Sequence, residues 1–158
     1  MFLIGTACAP APSTVPAAKR PLWFGFHVKV ETKADAAGLI TEIPALAKLG
    51  VNLIIAEVNY GYEYVSHPEL RWEDPVSRDT VKKIVALCRQ HRIRLVPLFD
   101  SLGHQSWAGK TFPLLVKYPQ FDESPGKYPG NKGREPMGND LYCRSWCPLP
   151  PDLNAVVF

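Results

Sequence analysis

No part of this chain gathers charge of one sign. Its 18 Lys and Arg residues stand singly or in pairs, 15 Asp and Glu nearly balance them, and the net charge is only +3. The basic stripe that a nucleic-acid partner requires is absent. Long apolar runs are absent too: none approaches the ~18 residues that cross a bilayer. Cysteine is scarce, with four in 158 residues, and those four lack metal-ligand spacing. Cys88 falls on the apolar face of a predicted helix, where a free thiol behaves as a small hydrophobe. Cys143 and Cys147 are separated by Arg-Ser-Trp with no second Cys or His pair nearby, which sets zinc aside. In an exported protein these two would form a local disulfide.

What is present describes a globular chain. An apolar fraction of 46% and an aromatic fraction of 11% over 158 residues fit one domain with a core. Residues 1–20 are dense in Pro and Ala and read as a leader and linker. Within them, Phe-Leu-Ile-Gly-Thr-Ala-Cys at 2–8 resembles the close of a bacterial lipoprotein signal. Cys8 would then be the lipidated first residue, with the Pro/Ala tract as a membrane tether. The protein would be exported, either periplasmic or lipid-anchored to the bacterial envelope. Gly5 stands where Leu is usual, and no basic segment precedes the short apolar run. The alternative is a tail with an isolated cysteine.

From residue 21 the pattern alternates strand and helix. Residues 23–30 are strand-like. Asp35 is placed to cap a helix whose apolar positions Leu39, Ile43, Leu46 and Ala47 keep helical spacing. It ends at Gly50, a residue suited to the left-handed helix stop, and Pro44 is predicted to kink or shorten it. Residues 51–58 form a second strand, apolar until Glu57. A loop rich in Tyr, Glu and His spans 59–75. Ser77 is a predicted N-cap with Asp79 in the first turn, and Val81, Ile84, Val85 and Cys88 line one face of the helix that follows. Residues 93–99 make a third strand, with Pro97 tolerable only at its end. A helix is predicted over 105–117, loop over 118–151, and a last helix capped by Asp152. This alternation indicates parallel β/α units. A (β/α)8 TIM barrel takes ~250 residues, so residues 21–158 read as its N-terminal portion, about three β/α units of an α/β fold.

The stretch Ile-Arg-Leu-Val-Pro-Leu-Phe-Asp-Ser-Leu-Gly-His at 93–104 is the most informative. An apolar strand delivers Asp100, and a short turn through Gly103 delivers His104. A carboxylate and an imidazole at the C-terminal end of a strand stand where a barrel enzyme places its working groups. The structural alternative is that Asp100 caps the next helix and His104 packs. Glu57 follows four apolar residues, and a buried carboxylate needs either a polar cleft or a cation.

From Gly25 onward the chain resembles the catalytic domain of glycoside hydrolase family 20, the β-N-acetylhexosaminidases, most of all their hexosaminidase D-like branch. The matching pieces come in the family's order. They are Gly-Phe-His at 25–27, Leu-Gly-Val-Asn-Leu-Ile-Ile-Ala-Glu at 49–57, Tyr-Glu-Tyr at 62–64 and His-Pro-Glu-Leu at 67–70. Val-Pro-Leu-Phe-Asp-Ser-Leu-Gly-His at 96–104 and Tyr-Pro at 118–119 complete the series.

The resemblance implies retaining, substrate-assisted hydrolysis of terminal N-acetylhexosamine residues, an exception to the two-carboxylate scheme. The acetamido oxygen attacks the anomeric carbon, an Asp orients that group, and the adjacent Glu protonates the leaving oxygen. This Asp-Glu pair is expected after a fourth strand, beyond Phe158. No catalytic residue is therefore expected in this chain, and alone it should be inactive. Asp100 and His104 would support the missing Glu and tune its acidity.

Glu57, His27, Tyr60 and Trp107 are the candidate sugar contacts. Each has a plainer alternative: an ion pair for Glu57, barrel-mouth packing for His27, an aromatic loop cluster for Tyr60, helix-surface packing for Trp107. Family members carry an Arg after the first strand, where this chain has Lys-Val-Glu-Thr-Lys at 29–33. They also carry a His and an Asp near the end of strand two, where this chain has Glu57 and Tyr60. The sugar stays open between N-acetylglucosamine and N-acetylgalactosamine.

The implied partner is a glycan or glycoside bearing N-acetylhexosamine, with no nucleic acid and no metal or organic cofactor. One alternative is a non-catalytic carbohydrate-binding or interaction module derived from the same barrel. Another, a sugar deacetylase, predicts metal-ligating His/Asp clusters that the sequence does not show. An open barrel fragment leaves a strand edge and an apolar face uncovered, so the chain alone is expected to fold poorly.

Overall fold

In the computed structural model, which describes residues 22–101, 103–107, 110–124 and 144–157, three strands form one parallel sheet. β1 (Gly25–Lys29), β2 (Leu53–Glu57) and β3 (Arg94–Leu98) lie side by side in chain order. α1 (Lys33–Lys48) connects β1 to β2, and α2 (Arg78–Gln90) connects β2 to β3. The architecture is mixed α/β. Each strand is a residue or two shorter at both ends than its apolar pattern suggests.

Local chemistry sets the helix limits. Thr32, not Asp35, is the N-cap of α1: its hydroxyl accepts from the Asp35 amide at 3.1 Å, and the Asp35 carboxylate accepts from the Thr32 amide at 2.9 Å. This reciprocal capping box satisfies two amides that the helix leaves unpaired. The helix runs through Pro44 without being shortened and stops at Lys48. Gly50 follows at φ +89°, the left-handed conformation that glycine adopts without a Cβ clash. Ser77 caps α2 as predicted, accepting from the Thr80 amide at 3.2 Å.

Alternate strand residues point to opposite faces. Phe26, Val28, Ile54, Ala56 and Leu95 face the helices and pack with Leu39, Ile43, Ile84 and Cys88 in the main core. Each fully buried Leu or Ile contributes about 1.5–3 kcal/mol of hydrophobic stabilisation. The other face carries His27, Lys29, Leu53, Ile55, Glu57 and Val96 and is more open, with Val96 38% exposed.

Residues 105–117 are not one helix. β4 (Ser106–Trp107) pairs antiparallel with β5 (Lys110–Thr111), and only then does the short α3 (Pro113–Lys117) begin. Pro113 explains the late start: it forces extended backbone on Phe112 (φ −79°, ψ 159°) and suits the first helical position. Among the described residues no helix begins directly after Asp100, so this carboxylate caps none.

A second core gathers Tyr60, Leu70, Phe112, Leu115, Phe121 and Trp146. It also holds Leu153, the first residue of α4 (Leu153–Val157), which follows Asp152 directly. Arg144 and Asp122 lie 3.6 Å apart, both buried, at its edge. The leader with Cys8, Cys143 and hence its pairing with Cys147, and the side chain of Trp107 lie outside the described residues.

Candidate functional site

The strand register builds the site. Lys29 pairs with Glu57, and Glu57 with Leu98, so the three strands end level. Two residues further along each chain stand Glu31, Asn59 and Asp100. The hydrogen bonds of Asn59 to Glu31, Glu57 and Asp100 bring them to the side of the sheet that carries Glu57. Polar groups therefore converge at the C-terminal ends of all three strands.

Asn59 is the hub. It is 1% exposed, and its backbone sits at φ +38°, a region that Asn tolerates better than most residues. Its side-chain amide nitrogen donates to Glu31 Oε1 at 3.0 Å, Glu57 Oε1 at 3.0 Å and Asp100 Oδ2 at 3.2 Å. Its carbonyl oxygen accepts from the Asp100 backbone amide at 2.8 Å.

Glu57 satisfies both of its alternatives. It lines a polar cleft, and it is paired, with Oε1 3.2 Å from Lys29 Nζ and Oε2 3.1 Å from His27 Nε2. His27 is thus a polar partner of Glu57 on β1, and its side chain is half exposed.

The cleft measures about 360 Å³ and is lined by Lys29, Glu31, Glu57, Asp100, His104 and Lys110, together with Phe112. Small-molecule sites run from ~300 to ~1,000 Å³. Asp100 and His104 are brought to the same cleft, His104 at φ +57°. Tyr60 is not on this wall. Its ring is 2% exposed, its hydroxyl donates to Gln105 Oε1 at 2.6 Å, and burial pushes its phenol well above the ordinary range. It borders a second, mainly apolar cavity of about 420 Å³ with Tyr64, His67, Leu70 and Phe99. The polar cleft is the better candidate because it holds the convergent charged groups.

Electrostatics separate these groups. Burial pulls Lys29 down, but its hydrogen bond to Glu57 and the nearby Glu31, Glu57 and Asp100 charges outweigh that and leave it raised. Burial raises the Glu31 carboxyl, helped by Glu57 and Asp35 and opposed by the Asn59 hydrogen bond and Lys29. The carboxylates converge on an amide donor, and no cluster of His, Cys, Asp and Glu among the described residues has metal-holding geometry. Gln105, 0% exposed, staples the turn: its amide donates to Asp100 O at 2.6 Å and Gly103 O at 3.3 Å.

Glu31, Asn59, Gln105 and Lys110 were not among the residues that sequence reasoning singles out. Counting two positions past each level strand end finds the first two. Nothing in the local sequence points to Gln105 or Lys110.

No family model matches the chain. One stretch is 34% identical over 90 residues to a cyclomaltodextrinase from Bacillus sp.. That match covers 52% of this chain and 15% of the length of the relative.

Proposed function

We propose that this chain is the leading part of a glycoside hydrolase barrel and that its cleft belongs to the sugar site. The finer reading is a β-N-acetylhexosaminidase. The observation that carries it is the level convergence of Lys29, Glu57, Asn59 and Asp100 at the C-terminal strand ends, where a β/α barrel does its chemistry. Partial similarity to a cyclomaltodextrinase, a glycoside hydrolase of another family, supports the class. The ordered motif series from 25 to 119 supports the hexosaminidase type.

In this reading Lys29 donates to a sugar hydroxyl, while Glu57 and Asp100 accept. Asp100 and His104 flank the place reserved for the acid, whose residue belongs to a later strand. The acetamido group of the substrate is the nucleophile, so this part of the barrel binds and orients and carries out no covalent step.

Amide chemical-shift mapping of the protein made from the full gene tests the reading, with N-acetylglucosamine, N-acetylgalactosamine and β-cyclodextrin as probes. An N-acetylhexosamine is expected to move the amides of Lys29, Glu57, Asp100 and His104. Shifts with cyclodextrin alone would replace the hexosaminidase with a maltodextrin-type hydrolase. No shift with any of the three overturns the sugar site.

A further inference from the structure

Asn59 offers two amide hydrogens to three carboxyl oxygens, all within 3.2 Å. One oxygen must therefore share a hydrogen, or belong to a protonated carboxyl that needs none. Glu57 is the carboxyl best compensated, because Lys29 and His27 both reach it. Glu31 and Asp100 meet no cation within ion-pair distance among the described residues.

The Glu31 backbone is held from two sides. Its amide donates to Asp35 Oδ2 at 3.1 Å, an extension of the α1 capping box. On its other side Gly61 packs so closely that a Cβ there would lie 2.6 Å from the Glu31 carbonyl carbon. The loop after β2 and the start of α1 thus clamp Glu31 at the cleft wall, with Asn59 behind it.

We propose that Asn59 is a positioning residue for three ligand-facing carboxyls, and that Glu31 meets a sugar hydroxyl as a hydrogen-bond donor. The second half rests on the sugar-site reading above, whereas the shared-hydrogen arrangement does not. The charged and titratable groups facing Glu31 are Lys29 from β1, Asp35 from α1, Glu57 from β2 and Asp100 after β3. His104 and Lys110 line the same cleft. Burial, Glu57 and Asp35 raise the Glu31 carboxyl, whereas the Asn59 hydrogen bond and Lys29 lower it, and the net direction is up. A protonated Glu31 needs no hydrogen from Asn59, which leaves the two amide hydrogens to Glu57 and Asp100. It also gives a neutral polyol a donor beside the acceptors Glu57 and Asp100.

The test is a carbon-13 carboxyl titration of the protein made from the full gene, combined with N-acetylglucosamine affinity at one pH below and one above the Glu31 midpoint so measured. Glu31 is expected to titrate above an ordinary glutamate, and higher still in Asn59→Ala, which removes the bond that holds it down. Sugar affinity should fall about 3- to 10-fold at the higher pH, the worth of one hydrogen bond. Glu31→Gln, which keeps a donor, should bind equally at both. If Asn59→Ala does not fold, the wild-type titration and Glu31→Gln decide the matter. A Glu31 value at or below the ordinary one overturns the shared-hydrogen arrangement whatever the sugar does. A pH dependence that persists in Glu31→Gln overturns the donor role. A raised Glu31 without sugar binding at either pH overturns the sugar-site reading and the donor role while leaving Asn59 as the positioning residue.

Discussion

Gly61 decides how near the loop after β2 can come to β1. A methyl group there would run into the Glu31 backbone, and backbone cannot rotate away as a long side chain can. Gly61→Ala is expected to cost about 1–3 kcal/mol, the usual penalty of overpacking, read from urea denaturation. The same variant should release Glu31 from Asn59. Another residue-scale effect lies at His67, whose two ring nitrogens face acceptors: Glu69 Oε1 at 2.9 Å and the Ala155 carbonyl at 3.2 Å. Only the imidazolium donates to both.

The hydrogen bond to Glu69, followed by that to Ala155, raises His67 above its ordinary 6.5. The hydrogen bonds from His67, from the backbone and from Tyr118 hold Glu69 at about 2. The stabilising share of His67 is therefore full below its unfolded value and fades as pH rises through the folded one. That of Glu69 is full above its ordinary 4.5 and fades as pH falls toward 2. Thermal melts across this span should show wild type losing stability at both ends and Glu69→Gln responding less at each. Both side chains are partly exposed, so the effect is small and sensitive to salt.

Among the site residues, Glu57 and Asp100 are legible in the sequence because each ends an apolar run, where a charge needs an explanation. Asn59 and Glu31 are not, since a neutral amide or a carboxyl in a loop raises no alarm until the strands are seen to end level. Tyr60 misleads for a related reason: a tyrosine in a polar loop suits a sugar, and only the second core shows that its ring is buried.

At the scale of elements, the capping box of α1 also serves the site, because Asp35 holds the amides of both Glu31 and Thr32. Thr32→Ala should cost about 1 kcal/mol, the usual worth of an N-cap. It should also loosen Glu31, seen as faster amide exchange at 31 and 32. Ser77→Ala should cost about as much and leave the cleft undisturbed, which makes it the control. The strands and the two long helices follow from apolar periodicity and cap residues, and α1 keeps its length despite Pro44. The region from 105 to 117 defeats that reasoning. Its apolar residues serve a hairpin and a short helix in one core, and tertiary packing with Trp146 and Leu153 decides what local pattern leaves open.

For the molecule as a whole, the two cores do different work. The sheet with α1 and α2 carries the level strand ends, and the aromatic core behind Tyr60 anchors the turn that presents Asp100 and His104. Gln105 joins the two, bonded to Tyr60 on one side and to Asp100 on the other. The open sheet face with Leu53, Ile55 and Val96 is what the interior of a β/α barrel looks like before further strands cover it. That likeness motivates the barrel reading, whereas what is observed is a parallel three-stranded sheet with two helices.

The most direct test is hydrolysis by the protein made from the full gene, assayed with para-nitrophenyl N-acetyl-β-glucosaminide, the matching galactosaminide and a maltooligosaccharide. The account predicts nitrophenol release from an N-acetylhexosaminide and a loss of about 100-fold or more in Asp100→Ala, the scale of a disturbed general acid. Cleavage of the maltooligosaccharide alone, or of none of the three, would contradict it.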